Sequence, residues 1–246
     1  MSKTNPNQLV ETSAELARDA VLTVIVIKNR IVDSVRFRGV VFGTAFVIRS
    51  DDWGSIVLTA QHVVEDLQPG DTLRVRTMLQ SGVRELSASV LYEHRWSDVA
   101  ILSVPGLRNV RQLTFEPSVL NSDSVIGVGY ANPIDLFPGI EMACKRIPDL
   151  SPGSVVSTEY VGLYQGVDVT FVHLEMVGMR GMSGMPILNA TGVVAMLIEG
   201  EGAYSTAVSY GTVFQVLKAY LKIRLRHHMD APVDTMTMEQ VLDALH

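Results

Sequence analysis

The chain has 246 residues, of which 47% are hydrophobic and 19% are charged, and its formal net charge is −6 at pH 7. This composition excludes a disordered chain, because it supplies enough apolar side chains for a sizeable core. The acidic balance argues against nucleic acid as a partner, since phosphate binding requires a basic surface. The single cysteine, Cys144, excludes an internal disulfide bond.

The start of the chain gives no sign of export or membrane insertion. Residues 1–8 are polar and lack the charged-then-apolar order of a signal peptide. The most apolar run, 21–27, is far shorter than the roughly 20 apolar residues of a membrane-spanning helix. We therefore expect a cytoplasmic protein that has no membrane partner.

The first half of the chain is typical of short β-strands that follow a helix. Apolar residues at helical spacing predict a helix over 8–20, after which β-branched residues dominate. Turn signals such as Pro69-Gly70-Asp71 separate the predicted strands. These strands span 21–27, 35–42, 43–49, 55–59, 73–79, 83–92 and 99–104.

The second half repeats this organisation without repeating the sequence. The stretch 105–117 contains prolines and glycine with little periodicity, and we interpret it as a linker. A helix is predicted after Tyr210, and a short amphipathic helix is predicted within 235–246. The strands predicted between the linker and Tyr210 span 124–130, 140–147, 153–160, 167–177, 186–189, 192–198 and 203–210.

Two similar sets of short strands predict an all-β protein built from two packed β-barrels. Short helices are expected at both ends of the chain. The expected divisions are an N-terminal tail and helix at 1–20, a first barrel at 21–110, a second barrel at 111–211, a C-terminal helix at 212–228 and a tail with a short helix at 229–246.

A turn of small residues, Gly181-Met182-Ser183-Gly184, lies between two predicted strands. The glycines allow backbone dihedrals that other residues avoid. Successive backbone N–H groups around such a serine can bind a developing negative charge. A serine hydroxyl is a poor nucleophile unless a base, held by a further group, activates it. By itself, this stretch is more typical of a tight turn that has no chemistry.

His62 and Asp98 are the best candidates for the base and for the group that orients it. His62 follows a predicted buried strand, where an imidazole can be held rigidly, and its pKa suits general-base catalysis. Asp98 directly precedes an apolar strand, so its carboxylate needs a partner such as an imidazole N–H. Among the other histidines, we expect His94 at the surface and His173 within a strand.

Together these motifs resemble those of trypsin-like serine proteases, over about residues 20–226. The order histidine, aspartate, serine matches that family, and the character is closest to the Deg, or high-temperature-requirement, type without its PDZ domain. The segments that carry the resemblance are Gly43-Thr44-Ala45-Phe46, Thr59-Ala60-Gln61-His62-Val63-Val64, Asp98-Val99-Ala100-Ile101-Leu102 and Gly181-Met182-Ser183-Gly184-Met185-Pro186.

The resemblance implies two six-stranded antiparallel β-barrels with the catalytic groups in the cleft between them. It implies Ser183 as the nucleophile, His62 as the general base and Asp98 as the group that orients His62. It further implies that backbone amides of Gly181, Met182 and Ser183 form the oxyanion hole. The expected function is a serine endopeptidase that acts on peptides or proteins through an acyl-enzyme intermediate, without a metal or cofactor.

The resemblance also implies a primary specificity pocket with Val177 at its floor and Leu197, Ile198 and Glu199 in its wall. Because Val177 carries no charge, an apolar residue is expected before the cut, a preference that Glu199 could alter. Met182 stands where many relatives have an acid that pairs with a newly cleaved N-terminus. N-terminal cleavage is therefore not expected to order the oxyanion loop.

Two other hypotheses stay open at this point. A trypsin-fold protein could bind peptides without cutting them, or cut only when an effector orders the oxyanion loop. The chain could also be a structural module that forms a homo-oligomer through its terminal helices, since 235–246 carries an apolar stripe. Met185, where many relatives have glycine, leaves the shape of the cleft undefined.

Overall fold

A computed structural model describes residues 6–32, 35–79, 82–117, 121, 123–131, 147–225 and 233–245 of the chain. The described part contains thirteen β-strands and four α-helices. The strand predicted over 140–147, together with Cys144, falls almost entirely outside the described residues. None of the described helices has the length and apolar character needed to cross a membrane.

The first seven strands form one antiparallel sheet. They are β1 (Val21–Val32), β2 (Val35–Ser50), β3 (Ser55–Ala60), β4 (Thr72–Leu79), β5 (Gly82–Ser87), β6 (Ser89–His94) and β7 (Val99–Val104). Their order across the sheet is β5-β4-β1-β2-β3-β7-β6. Only Ala88 separates the two edge strands, β5 and β6, along the chain. The two edge strands are thus joined at one corner of the sheet, and we refer to this seven-stranded sheet as the first barrel.

The other six strands close into a second antiparallel barrel, in the order β10-β13-β12-β11-β8-β9. Closure gives every strand two neighbours, so no unpaired edge is left. These strands are β8 (Ser124–Gly129), β9 (Asp149–Tyr164), β10 (Val167–Met176), β11 (Pro186–Leu188), β12 (Val193–Glu201) and β13 (Tyr204–Ser209). The predicted all-β fold with two antiparallel sets of strands is confirmed, with seven strands in place of six in the first set.

The helices lie before, between and after the strands. They are α1 (Pro6–Ala17), α2 (Gln61–Val64), α3 (Tyr210–Arg224) and α4 (Met238–Asp243). Helix α1 buries Ala14 and Ala17 and contacts β8 of the second barrel. Helix α3 begins at a cap in which the Ser209 hydroxyl accepts the Thr212 N–H. A capping box of Thr237 and Gln240 starts α4.

Burial explains why two strands of the first barrel show continuous apolar runs where alternation would otherwise be expected. Every residue of β3 is buried, and all but one residue of its neighbour β7 are buried. A strand that is covered on both faces has no solvent side on which to place polar residues. This buried pair of strands positions the residues that lie just beyond its ends.

Candidate active site

The register of β3 and β7 brings His62 and Asp98 to the same end of the sheet. Ala60 at the end of β3 pairs with Val99 at the start of β7. Because the strands are antiparallel, the residues just beyond this pair are neighbours in space. The Gln61 N–H donates to the Asp98 carbonyl at 3.0 Å, which extends the pairing past the strand ends.

The Asp98 carboxylate holds His62 through two hydrogen bonds. Its Oδ1 accepts the His62 backbone N–H at 2.8 Å, and its Oδ2 accepts from Nδ1 of the His62 ring at 2.7 Å. Asp98 itself has φ of 55°, a left-handed conformation that aspartate tolerates better than most residues. With Nδ1–H directed to the carboxylate, Nε2 is the nitrogen that can accept a proton.

This arrangement sets the basicity of His62. The hydrogen bond to Asp98 raises the pKa of His62 above its usual 6.5, and the partial burial of the ring opposes that rise. The negative charges of Asp98, Glu65 and Glu199 raise the pKa further. The net direction is upward, which strengthens the imidazole as a base.

Ser183 lies where two successive β-turns meet, at residues 179–182 and 182–185. Each turn is closed by a hydrogen bond from its fourth N–H to its first carbonyl, at 3.0 Å in the first and 2.9 Å in the second. The third positions are Gly181 and Gly184, with φ of 89° and 90°. A type II turn requires such a positive φ at this position, so the local turn geometry explains why both positions are glycine.

Gly184 also brings the serine turn against the first barrel. A Cβ on Gly184 would overlap the Thr44 carbonyl oxygen and would lie 2.9 Å from the Ala60 backbone nitrogen. Only glycine allows this approach of backbone to backbone. The Gly184 N–H donates to the Leu197 carbonyl at 2.8 Å, and the Thr44 N–H donates to the Ser183 carbonyl at 2.8 Å. These contacts fix the turn between β2 and β12.

The three predicted catalytic residues line one open cleft of about 400 Å³. Its lining consists of His62, Asp98, Met179, Arg180, Ser183, Ile198, Glu199 and Gly200. Within the described residues, no hydrogen bond joins the Ser183 hydroxyl to the His62 ring. Such bonds often tighten only when substrate binds, so the shared cleft is the informative feature.

The backbone around Ser183 offers two of the three predicted oxyanion donors. In the described part of the chain, no group accepts the N–H of Gly181 or of Ser183. The Met182 N–H, in contrast, already donates to the Met179 carbonyl. The Met182 side chain is buried in the core of the second barrel. The assignment of Met182 to the oxyanion hole is therefore corrected, because its amide closes a turn.

Two of the four predicted pocket residues lie in the cleft. Ile198 and Glu199 line it, next to a register shift between Leu197 and Glu199 in the pairing of β12 with β13. This shift is a β-bulge, which lets two consecutive side chains face the same side. Leu197 is buried, and its backbone bonds to Gly184 and Met185. Leu197 thus supports the serine turn and does not line the cleft wall.

Val177 does not lie in the lining of the cleft, and 52% of its surface is exposed. Next to it, the backbones of Gly178 and Gly200 are in contact, since a Cβ on Gly178 would lie 2.7 Å from the Gly200 Cα. Val177 therefore does not form the floor of this cleft.

His94 is fully buried, so the prediction that it lies at the surface is wrong. Its Nδ1 lies 2.8 Å from the Ser97 hydroxyl, and its Nε2 lies 3.2 Å from the Tyr164 carbonyl oxygen. A carbonyl only accepts, so Nε2 carries the proton. Burial lowers the pKa of His94, and the bond to Tyr164 opposes this shift. His94 thereby connects the segment before Asp98 to the second barrel.

His173 lies on β10, outside the cleft lining, and pairs with Glu159 at 3.0 Å. This position agrees with the strand predicted for it. Among the described residues, no group of three or more His, Cys, Asp or Glu side chains is arranged to hold a metal ion.

Thr44 is the site residue that sequence reasoning missed. It is fully buried in β2, and its hydroxyl donates to the Gly181 carbonyl at 2.8 Å. The same hydroxyl accepts the N–H of Tyr130, which follows β8 in the second barrel, at 3.0 Å. In the sequence, Thr44 stands out only as part of the segment Gly43-Thr44-Ala45-Phe46. This segment contributes to the family resemblance but does not indicate a contact with the serine turn.

Comparison with known proteins identifies the family of this chain. Residues 43–195, more than half of the chain, match the family model of the trypsin-like peptidase domain. The chain belongs to this family. The prediction of a trypsin-like serine protease is confirmed at the level of the family. No curated protein matches the sequence.

Two solved structures support the trypsin-like fold. The active form of the Rv3671c protease from M. tuberculosis is 20% identical, with a TM-score of 0.65, over 88% of this chain and 91% of that one. The inactive form of a serine-to-alanine mutant of Rv3671c is 17% identical, with a TM-score of 0.62, over 89% of this chain and 95% of that one. At these identities the likeness concerns the fold alone.

Proposed function

We propose that this trypsin-like peptidase is a serine endopeptidase whose triad is His62, Asp98 and Ser183. One observation carries the proposal: Asp98 accepts the His62 Nδ1–H at 2.7 Å at the wall of the cleft that also contains Ser183. A histidine held in one tautomer beside a serine is the arrangement that nucleophilic catalysis requires.

In the proposed reaction, the Ser183 hydroxyl oxygen attacks the carbonyl carbon of the scissile bond while His62 Nε2 takes the hydroxyl proton. Asp98 stabilises the imidazolium that forms. The N–H groups of Gly181 and Ser183 stabilise the oxyanion, and each such donor contributes about 10²- to 10³-fold in rate. His62 then gives its proton to the leaving amine. A water molecule, deprotonated by His62, hydrolyses the ester on Ser183 and completes the cycle.

We further propose that the cleft prefers an apolar residue before the cut. Val177 does not support this preference, but Met179 and Ile198 supply apolar lining beside Ser183. The carboxylate of Glu199 lies in the same lining, so acidic substrate residues next to the scissile bond should be disfavoured. A peptide library that varies the residues around the cut would test both statements. Random cleavage, or a preference for acidic residues, would contradict them.

A fluorophosphonate probe, which reacts with activated serines, tests the triad directly. We expect the wild type to be labelled and Ser183→Ala to stay unlabelled. His62→Ala should reduce the labelling rate strongly, because the base is lost. The matched control is Ser205→Ala, which removes a buried serine hydroxyl that donates to the Met176 carbonyl and should leave labelling unchanged. Labelling that survives Ser183→Ala would exclude the proposed nucleophile.

An effector-gated protease is the second candidate function. The contact between Gly178 and Gly200 favours it, because the two backbones meet at a residue, Gly200, that lines the cleft. If binding of a peptide must open this contact, an added product peptide should accelerate fluorophosphonate labelling. An unchanged labelling rate over a range of peptide concentrations would remove the gated alternative.

A further inference from the structure

Thr44 uses all its hydrogen-bonding groups at the junction of the two barrels. Its hydroxyl donates to the Gly181 carbonyl at 2.8 Å and accepts the Tyr130 N–H at 3.0 Å. Its own N–H donates to the Ser183 carbonyl at 2.8 Å, and its carbonyl accepts the Thr59 hydroxyl at 2.7 Å. One residue of the first barrel thus holds two carbonyls of the serine turn.

These two carbonyls belong to the residues whose N–H groups are the candidate oxyanion donors. A peptide unit is planar, so fixing the Gly181 carbonyl fixes the unit that joins Gly181 to Met182. Glycine has wide conformational freedom, and its observed φ of 89°, which the turn closed by the Met182 N–H favours, is further held by a contact from outside the loop. The Thr44 hydroxyl supplies that contact, and the Thr44 N–H acts in the same way on Ser183.

Apolar packing also holds this turn. Met182 and Met185 are buried in the core of the second barrel. A Cβ on Gly129 would lie 2.7 Å from the Met185 Cβ, so Met185 occupies space that a larger residue at 129 would take. Within the described residues, the contacts that hold the turn therefore include neutral hydrogen bonds and apolar packing on both sides of Ser183.

We propose that Thr44 is the positioning residue of the oxyanion loop, which consists of residues 179–185. Its hydroxyl selects the conformation of Gly181 in which the N–H groups of Gly181 and Ser183 are available to the substrate oxyanion. This inference rests on the proposed role of Ser183 as the nucleophile. Thr44 acts through the loop and does not touch the substrate.

Substitutions at Thr44 separate the hydroxyl from the shape of the side chain. Thr44→Val keeps the volume but leaves the Gly181 carbonyl and the Tyr130 N–H without this partner. We expect kcat to fall by about 10- to 100-fold with KM nearly unchanged, since the lost alignment acts mainly in the transition state. Thr44→Ser keeps the hydroxyl and should restore kcat to within about 3-fold of the wild type.

Thr212→Val is the matched control. The Thr212 hydroxyl is also buried, donates to the Asp168 carbonyl at 2.9 Å and accepts the Thr170 N–H at 2.8 Å. It therefore makes the same pair of bonds far from the oxyanion loop, at the start of α3. We expect Thr212→Val to lower the melting temperature as Thr44→Val does, with kcat unchanged. Equal losses of kcat in both variants would overturn the positioning role.

Hydrogen exchange gives a readout that does not depend on proteolysis. In Thr44→Val, the amides of Met182 and Met185, which close the two turns, should exchange faster than in Thr44→Ser and Thr212→Val. If Thr44→Val does not fold, Thr44→Ala removes the hydroxyl without adding bulk and serves in the same comparison. Unchanged exchange overturns the proposal even if the enzyme is active. Faster exchange in a protein that lacks any Ser183-dependent activity would retain the loop contact and reject the catalytic function.

Discussion

The two halves of the candidate site are held by different physical means. In the first barrel, His62 is fixed by the acidic side chain of Asp98, and the contact from its Nδ1 to Asp98 measures 2.7 Å. In the second barrel, Ser183 is fixed by two glycine turns, by neutral hydrogen bonds to Thr44 and by buried methionines. The acid–base half should therefore respond to charge and pH, whereas the nucleophile half should respond to volume and backbone freedom.

The largest expected effect comes from removing the negative charge that holds His62. Asp98→Asn keeps the shape of the side chain but removes the charge and lets the amide favour the wrong tautomer of His62. We expect kcat/KM to fall by about 10³- to 10⁴-fold, as loss of the orienting acid does in triads generally. Steady-state hydrolysis of a peptide measures this.

Asp52→Asn is the control for Asp98→Asn. Asp52 lies in an exposed turn and accepts a hydrogen bond from the Asn109 amide at 2.8 Å. Its substitution should leave kcat/KM unchanged. If Asp98→Asn retained more than about a tenth of the wild-type rate, His62 would not depend on this carboxylate in the way that a triad requires.

The next largest effect comes from disrupting the turn that holds Ser183. Gly184→Ala forces a Cβ onto a residue with φ of 90° and into the Thr44 carbonyl oxygen. We expect a loss of at least about 3 kcal/mol in the free energy of unfolding, with loss of activity in whatever fraction stays folded. Chemical denaturation monitored by circular dichroism measures the stability.

Gly70→Ala separates backbone strain from steric contact. Gly70 has φ of 98°, and nothing lies within 4 Å of an added Cβ. Its substitution should cost about 1–2 kcal/mol, the strain of the left-handed backbone alone. Similar losses at both glycines would mean that the approach of Gly184 to the first barrel contributes nothing.

The same contrast explains what the sequence could predict. His62 and Asp98 lie directly beyond the ends of two apolar strands, so their positions follow from local patterns and from the register of one strand pair. Thr44 lies inside a buried strand, where a threonine is indistinguishable from any other β-branched residue. Its role depends on a turn 137 residues away along the chain.

The failures at the specificity pocket have the same origin. The bulge that turns both Ile198 and Glu199 to the cleft interrupts the alternation from which side-chain direction is inferred. The contact of Gly178 with Gly200 is a tertiary contact between two glycines, which have no side chains from which it could be inferred. The surface position predicted for His94 rests on the polar residues beside it in the chain. The prediction is wrong because the ring itself bonds to the carbonyl of Tyr164 in the other barrel.

The smallest expected effect is the pH dependence of the half of the site that contains His62. His62 must be neutral to accept a proton, so kcat/KM should rise with pH through the pKa of His62 in the free enzyme. Because Asp98 raises this pKa, the midpoint should lie above 6.5. The Glu199 carboxylate also raises it, since a negative charge stabilises the imidazolium. Glu199→Gln removes that charge, so its midpoint should move to lower pH.

Glu175→Gln provides the control for the pH profile, because Glu175 is exposed and lies outside the cleft lining. Its profile should coincide with that of the wild type. Glu199 is also exposed, so salt should screen its effect, and the wild-type and Glu199→Gln profiles should converge as ionic strength rises. A midpoint that moves to higher pH in Glu199→Gln would contradict the sign. A midpoint that moves equally in both variants would show that net charge, and not the charge in the cleft, sets the basicity of His62.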